Sequence, residues 1–240
     1  MEERALVIIP TYNEAKNIEP LVEKLLSLDL SIDVLVIDDN SPDGTGTKAE
    51  VLSQKKPGRV FVLHRPGKLG LGTAHRDGFS FALEKGYERL VTMDADFSHP
   101  SEIIPLMLEK LGEAGMVIGS RYVPGGKTKG WPVSRKITSW TANFLARFLM
   151  GLKPRDCTGA FRAYRAEYLR KLPMDRLMAR GYSAHLEVLY YFQKARAAVV
   201  EIPITFANRK EGKSKISSRE VRETLKIMFY YCWHRPELPA

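Results

Sequence analysis

Apolar residues recur along the first half of the chain in short, nearly unbroken runs. Ala5–Ile9, Asp33–Ile37, Arg59–Leu63, Arg89–Met93 and Met116–Ile118 are each rich in Val, Ile and Leu. Runs of this length fit strands covered on both faces, as in a parallel sheet, rather than the strict alternation of a half-exposed strand. Between them the period changes to that of a helix: Ile18, Leu21, Val22, Leu25 and Leu26 fall on one stripe, as do Ile103, Leu106, Met107, Leu108 and Leu111. Alternating strand and helix predicts an α/β domain with a mostly parallel central sheet flanked by helices. In such a Rossmann-like fold, ligands sit outside the carboxyl ends of the strands.

The residues that follow each run bear on that rule. They are Pro10-Thr11-Tyr12-Asn13-Glu14, then Asp38-Asp39-Asn40-Ser41-Pro42-Asp43-Gly44, then the glycine-rich His64–Gly72, then Asp94-Ala95-Asp96, and last Gly119-Ser120-Arg121-Tyr122. Any one polar strand end is ordinary; five in succession place a ligand along one sheet edge.

Beyond Tyr122 the rhythm breaks. Val123–Trp131 carries Gly125, Gly126 and Gly130 among prolines and lysines and reads as a mobile loop. A helix is expected over Ile137–Leu152, with Ile137, Trp140, Phe144, Leu145, Phe148 and Leu149 on one face and Ser139, Asn143 and Arg147 on the other. Its apolar face either packs on the domain or meets a lipid surface. A last helix is expected from Ser217 to about Trp233. These features suggest one domain over residues 1–216, with halves 1–120 and 121–216, and a helical tail over 217–240.

Composition narrows the class. The chain has 240 residues, 44% hydrophobic and 27% charged, ordinary values for a protein that buries a core. No run approaches the ~20 apolar residues of a membrane span, and Met1–Arg4 is no signal peptide. Cys157 and Cys232 cannot form a disulfide framework, so a cytoplasmic setting is expected. The net charge of +9 is unevenly spread: residues 1–120 carry −6 and residues 121–240 carry +15. A solvated basic surface would account for the excess, and so would an anionic partner of the second half.

Asp94-Ala95-Asp96 is a hard oxygen donor pair suited to Mg²⁺ or Mn²⁺ shared with phosphates and water. Asp is also common where a helix opens, as one does near Ser98-His99-Pro100. Asp38-Asp39 is a second acidic pair, able to hold ribose hydroxyls or base edges, although Ser41, Pro42 and Gly44 are plain turn residues.

Ile8–Glu14, Ile37–Asp43 and Met93–Asp96 resemble the inverting glycosyltransferases of the GT-A fold. Gly119–Tyr122, Trp131–Lys136, Asp156–Arg162 and Gly212–Lys215 narrow the resemblance to the polyprenyl-phosphate (dolichyl-phosphate) mannosyltransferases, in a short form without transmembrane helices. That resemblance implies transfer of mannose from GDP-mannose to a polyprenyl phosphate, by an enzyme peripheral to the cytoplasmic face of a membrane. It implies that Pro10, Tyr12, Glu14, Ile37 and Asp39 cradle the nucleoside and that Asp94, Ala95 and Asp96 meet metal and diphosphate. Arg209 and Lys215 would close over the diphosphate, and Arg121, Arg135 and Ser139 would take the acceptor phosphate. Asp94, Asp96 and Arg121 would carry catalysis. Where the family often has a metal-binding Gln, this chain has Ser98, whose shorter hydroxyl leaves water to complete the shell. Asp156 is either a base or a structural or sugar-binding acid, and Glu187 either touches the sugar or pairs in the core. A UDP-sugar donor with undecaprenyl phosphate stays open. A nucleotidylyltransferase would carry a glycine-rich loop where Pro10–Glu14 stands, and no nucleic-acid-binding pattern is present.

Overall fold

The computed structural model describes residues 4–28, 30–208 and 218–238. Strand β1 (Ala5–Thr11) pairs in parallel with β2 (Ile32–Asp38) on one side and β4 (Arg89–Thr92) on the other, and β2 pairs in parallel with β3 (Val60–His64). The sheet continues through β7 (Arg162–Arg165), antiparallel to both β4 and β5 (Met116–Ser120), and ends at β8 (Val199–Pro203), parallel to β5. Its order is β3-β2-β1-β4-β7-β5-β8. Within the glycine-rich segment expected as a loop, β6 (Lys127–Lys129) forms a small parallel pair with β9 (Thr205–Ala207).

The unbroken apolar runs follow from burial on both faces. Leu6, Ile8, Leu35 and Ile37 point into a layer shared with Ala74, Phe79 and Ala82 of α3 (Leu71–Glu84) and with Leu189 and Phe192 of α7 (Ala184–Lys194). Val7, Ile9, Val34 and Val36 point the other way, onto α1 (Ile18–Leu26), α2 (Thr45–Lys55) and α4 (Ile104–Lys110). Helix α3 lies very close to the sheet at Gly78, where an added Cβ would stand 2.7 Å from Ile8 Cγ2 and 2.9 Å from Ile37 Cδ1.

Strand β7 shows no apolar run because its first residue is a wholly buried arginine. Arg162 is 0% exposed and donates to the carbonyls of Gly159, Cys157 and His185, so backbone oxygens satisfy its guanidinium. The short α6 (Ala166–Leu169) follows it.

Helix α5 (Val133–Met150) packs by the face that reads as polar. Asn143, Ala146 and Met150 are buried, whereas Ile137, Trp140, Phe144 and Phe148 are 51–75% exposed. The Asn143 side chain explains this: its Oδ1 accepts from the Cys157 and Thr158 amides at 2.7 and 3.1 Å, and its Nδ2 donates to Ser139 O and Thr158 Oγ1. Of the apolar stripe only Leu145 and Leu149 pack on the core, so internal packing, one of the two expectations, fails for Ile137, Trp140, Phe144 and Phe148. The stripe is an ordered row of rings in solvent, Trp140 to Phe144 at 5.6 Å and Phe144 to Phe148 at 6.2 Å.

Helix α8 (Ser218–His234) runs beside α5 and buries Ile227, Met228 and Tyr231, leaving Phe229 and Trp233 exposed. Tyr231 Oη donates to Glu187 Oε1 at 2.9 Å, and Glu187 also accepts the Met178 and Ala179 amides. Glu187 is thus a buried acceptor of neutral donors. It forms no core ion pair among the described residues, and burial raises its carboxyl above the usual range.

His75 and His185 lie with ring centroids 4.9 Å apart, both enclosed. Burial, reinforced by the nearby Arg162 charge, pushes His75 down to about 3. An unfolded chain takes up these protons near pH 6.5, whereas the folded chain stays neutral there. Stability therefore falls as pH drops below about 6.5, by up to ~1.4 kcal/mol per pH unit for each histidine. Urea denaturation from pH 7.5 to 5 should show that loss, and His75→Gln should reduce its slope. Gly78→Val should lower stability by about 1–3 kcal/mol through overpacking, read as a shifted urea midpoint with an unchanged slope.

Candidate active site

The carboxyl ends of β1 and β4, the loop after β2 and the start of α3 enclose a cleft of about 290 Å³. Pro10, Tyr12, Glu14, Asp39, Asp94, Ala95 and Asp96 all line it, as the sequence predicts. Ile37 does not: its side chain is 0% exposed in the apolar layer beneath α3, so only its backbone lies near the cleft, its carbonyl accepting from Thr11 Oγ1.

The two acids at the end of β2 have different work. Asp38 accepts from Thr11 Oγ1, Ser41 N and Ser41 Oγ at 3.2, 3.0 and 2.6 Å, and so shapes its own turn. Asp39 lines the cleft and pairs through Oδ1 with Arg65 Nη1 at 2.7 Å. Arg65 is itself braced by Thr73 and by Asp77, whose Oδ2 lies 3.0 Å from Nε. Burial raises the Asp39 carboxyl, with Arg65 opposing. Arg65 and Lys68 escaped the sequence reading although both stand in the glycine-rich segment after β3. Lys68 Nζ sits 4.7 Å over the Tyr12 ring, at the cleft wall.

The loop after β4 is held by two bonds between side chain and backbone. Ser98 N donates to Asp96 Oδ1 and Asp94 N donates to His99 Nδ1, both at 3.0 Å. Between them Phe97 adopts φ +59°, a left-handed conformation that is unfavourable for a bulky side chain. Two carboxylates reach the cleft from this loop, a donor set that fits a hard divalent ion completing its octahedron with phosphate and water. Ser98 is 1% exposed, does not line the cleft, and its Oγ is buried with no hydrogen-bond partner among the described residues. Among those residues no three His, Cys, Asp or Glu side chains form a metal-holding group.

A second cluster stands where β5 ends. Arg121 lies 8% exposed against Asp156, which is 0% exposed. The pair is bidentate, Nε to Oδ2 at 2.7 Å and Nη2 to Oδ1 at 2.6 Å, while the Arg121 amide also donates to Oδ2 and Nη2 to Thr158 Oγ1. Burial opposes both charges, but their attraction prevails, holding Asp156 below the usual carboxylate range and Arg121 above its own. Arg121 thus commits two of its three guanidinium nitrogens to Asp156 and Thr158, and its Nη1 makes no hydrogen bond among the described residues. Arg135 stacks on Trp131, its guanidinium carbon 4.0 Å from the ring centroid, and donates to Asn208 Oδ1 at 3.2 Å. Ser139 Oγ accepts from Tyr122 Oη at 2.7 Å. Arg209 and Lys215 lie outside the described residues.

His99 joins the acidic and basic clusters. Its ring stacks on Phe161 at 5.0 Å and meets the Phe206 ring at 5.2 Å. Phe206 in turn lies 5.6 Å from the Arg121 guanidinium. Burial lowers the His99 pKa against the pull of Asp94 and Asp96, and because Nδ1 accepts a bond the neutral ring carries its proton on Nε2. Tyr182 and Glu220 complete the cleft from the far side, brought there by loop and helix contacts that no local motif announces.

Residues 6–173 match the family described as Glycosyl transferase family 2. An undecaprenyl-phosphate mannosyltransferase of Micrococcus luteus is 44% identical over 222 residues, covering 92% of this chain and 91% of that protein. A polyprenol monophosphomannose synthase of Mycolicibacterium smegmatis is 43% identical over 224 residues, covering 93% and 84%. Among solved structures, glucosyl-3-phosphoglycerate synthase from Mycobacterium tuberculosis in complex with Mg²⁺ and UDP superposes with a TM-score of 0.70. That match has 18% identity and covers 98% of this chain and 81% of that one, a likeness of fold.

Removing Asp156 should expose how much rests on its pair. Asp156→Asn leaves the Arg121 charge buried and should lower stability by about 3–5 kcal/mol at neutral pH. Because Asp156 is held low, its contribution is present above about pH 4 and lost as pH falls further. The gap between variant and wild type, followed by thermal unfolding, should therefore narrow in acid.

Proposed function

The chain belongs to glycosyl transferase family 2 and has the GT-A fold, and we propose that it is a polyprenyl-phosphate mannosyltransferase using GDP-mannose. In this reading mannose passes from GDP to the phosphate of a polyprenol with inversion at the anomeric carbon. The names of relatives 43–44% identical over more than nine-tenths of the chain support the acceptor class and the sugar. The observation that carries the reading is the junction at His99, where a cleft bearing Asp39, Asp94 and Asp96 adjoins the cluster of Arg121, Trp131 and Arg135.

Each side of that junction has a defined task. Tyr12 offers a stacking face for the base, and Asp39, braced by Arg65, offers an acceptor for base or ribose donors. Asp94 and Asp96 would hold Mg²⁺ or Mn²⁺ at the diphosphate, and the bound ion would offset charge on the departing GDP. A phosphate monoester, with a second pKa near 6, is already largely dianionic at neutral pH and needs no general base. That suits a site whose most deeply buried acid, Asp156, is engaged by Arg121. What the acceptor needs is a cationic seat in line with the anomeric carbon, and Arg121, Arg135 and Ser139 are the residues we assign to it.

The acceptor is a lipid, and among the described residues no helix is long and apolar enough to cross a membrane. We assign the outward rings of α5 to the lipid surface, with Arg135, Lys136 and Arg147 of the same helix, which carries no acid, facing headgroups at the cytoplasmic side.

Radiolabelled sugar from GDP-mannose should enter an organic-extractable lipid in the presence of a divalent ion. Asp96→Ala should reduce that transfer by at least a hundredfold, and Arg135→Ala should raise the KM for acceptor more than it weakens GDP binding. Stabilisation by UDP rather than GDP in a thermal-shift titration with Mn²⁺ would overturn the donor assignment. Flotation with anionic liposomes should be lost in the Phe144→Glu, Phe148→Glu double variant; retention would remove α5 as the lipid contact.

A further inference from the structure

Trp131 stands at the centre of the basic cluster yet has no role in the assignments above. It is 8% exposed, between β6 and α5. Two guanidinium groups converge on its ring, Arg135 at 4.0 Å and Arg121 at 5.4 Å from the centroid, while the Phe206 ring meets it at 5.3 Å. Attraction of cations to an indole face accounts for the stacking, and it gathers two guanidinium groups at one spot, of which Arg121 is paired with Asp156. The indole Nε1–H is buried with no hydrogen-bond partner among the described residues. A buried donor left unpaired is unfavourable and uncommon in folded proteins, so one beside two converging cations calls for an explanation.

An anion would resolve both features. It would accept the unpaired N–H and stand near both guanidinium groups. Arg121 brings one nitrogen, Nη1, that makes no hydrogen bond among the described residues, whereas a phosphate monoester offers three oxygens and so calls for donors beyond the arginines. We propose that the Trp131 indole N–H is a donor to the acceptor phosphate, binding one oxygen while its ring face holds Arg121 and Arg135 in place. The inference rests on the assignment of this cluster to the acceptor and adds to it a neutral, directional contact. Such a contact distinguishes a phosphate seat from a mere concentration of positive charge, because it acts only on an oxygen at one position.

Trp131→Phe separates the two parts of the proposal, since it keeps a ring face for the arginines and deletes only the donor. With a short-chain isoprenyl phosphate as acceptor, its KM should rise about tenfold, the size expected for a hydrogen bond to a charged group. GDP affinity by calorimetry and kcat should stay within twofold of wild type. An acceptor KM unchanged within twofold would overturn the proposal. A second measurement needs no variant: the chain has three tryptophans, so ¹⁵N-labelled protein gives three indole signals. One of them should shift on titration with isoprenyl phosphate, and three signals unmoved at saturation would also overturn the proposal. Wild type that binds isoprenyl phosphate with the Trp131 shift but transfers no mannose would instead remove the mannosyltransferase reading and leave the phosphate contact standing.

Discussion

The second half of the molecule is organised around one buried ion pair, Arg121 with Asp156. It joins the end of β5 to the loop that leads into β7, and every oxygen of the carboxylate is used by nearby donors, including the Arg121 and Gly159 amides. A pair this deep is tolerated only when its geometry is complete, which fixes the course of residues 156–159. That loop in turn presents the Cys157 and Thr158 amides to Asn143 of α5. The helix must then turn its polar face inward to reach them. The exposed rings of α5 are thus a consequence of hydrogen-bond accounting two steps away, and not of any shortage of core to pack against.

The same accounting explains how the two halves cooperate. The first half supplies a parallel sheet whose strand ends carry carboxylates, and the antiparallel β7 lies where the topology departs from a simple alternation. Phe161, just ahead of β7, and Phe206 from β9 enclose His99, so the acidic loop after β4 is packed directly against the aromatic floor of the basic cluster. Negative and positive regions that are remote in sequence are held one ring apart. Asp39, Asp94 and Asp96 from the acidic half and Arg121 and Arg135 from the basic half thus come to one junction.

Much of this was legible in the order of residues. The five apolar runs and their polar ends located β1 to β5 and most of the cleft lining, because burial on both faces and position at a strand end are local properties. What was not legible depended on distant partners. Arg162 hides β7 because a charged residue at a core position reads as surface unless the carbonyls that satisfy it are known. The inward face of α5 was concealed for the same reason, since Asn143 is polar in sequence and structural in space. Ile37 was placed at the nucleoside by the family resemblance, but its side chain is buried in the apolar layer beneath α3, one strand residue short of the polar end. Arg65 and Lys68 lay in plain view within a glycine-rich segment, but only the folded arrangement shows which basic residue there braces Asp39 and which covers Tyr12.

The aligned rings of Trp140, Phe144 and Phe148 bear on how the protein would meet its substrates. A lipid acceptor diffuses in two dimensions, whereas a nucleotide sugar arrives from bulk water. Under the lipid contact proposed for α5, adsorption through the exposed ring stripe would restrict rotation and reduce the search for an acceptor to sliding in a plane. Turnover would then scale with the area density of acceptor in that plane rather than with its concentration in the whole volume.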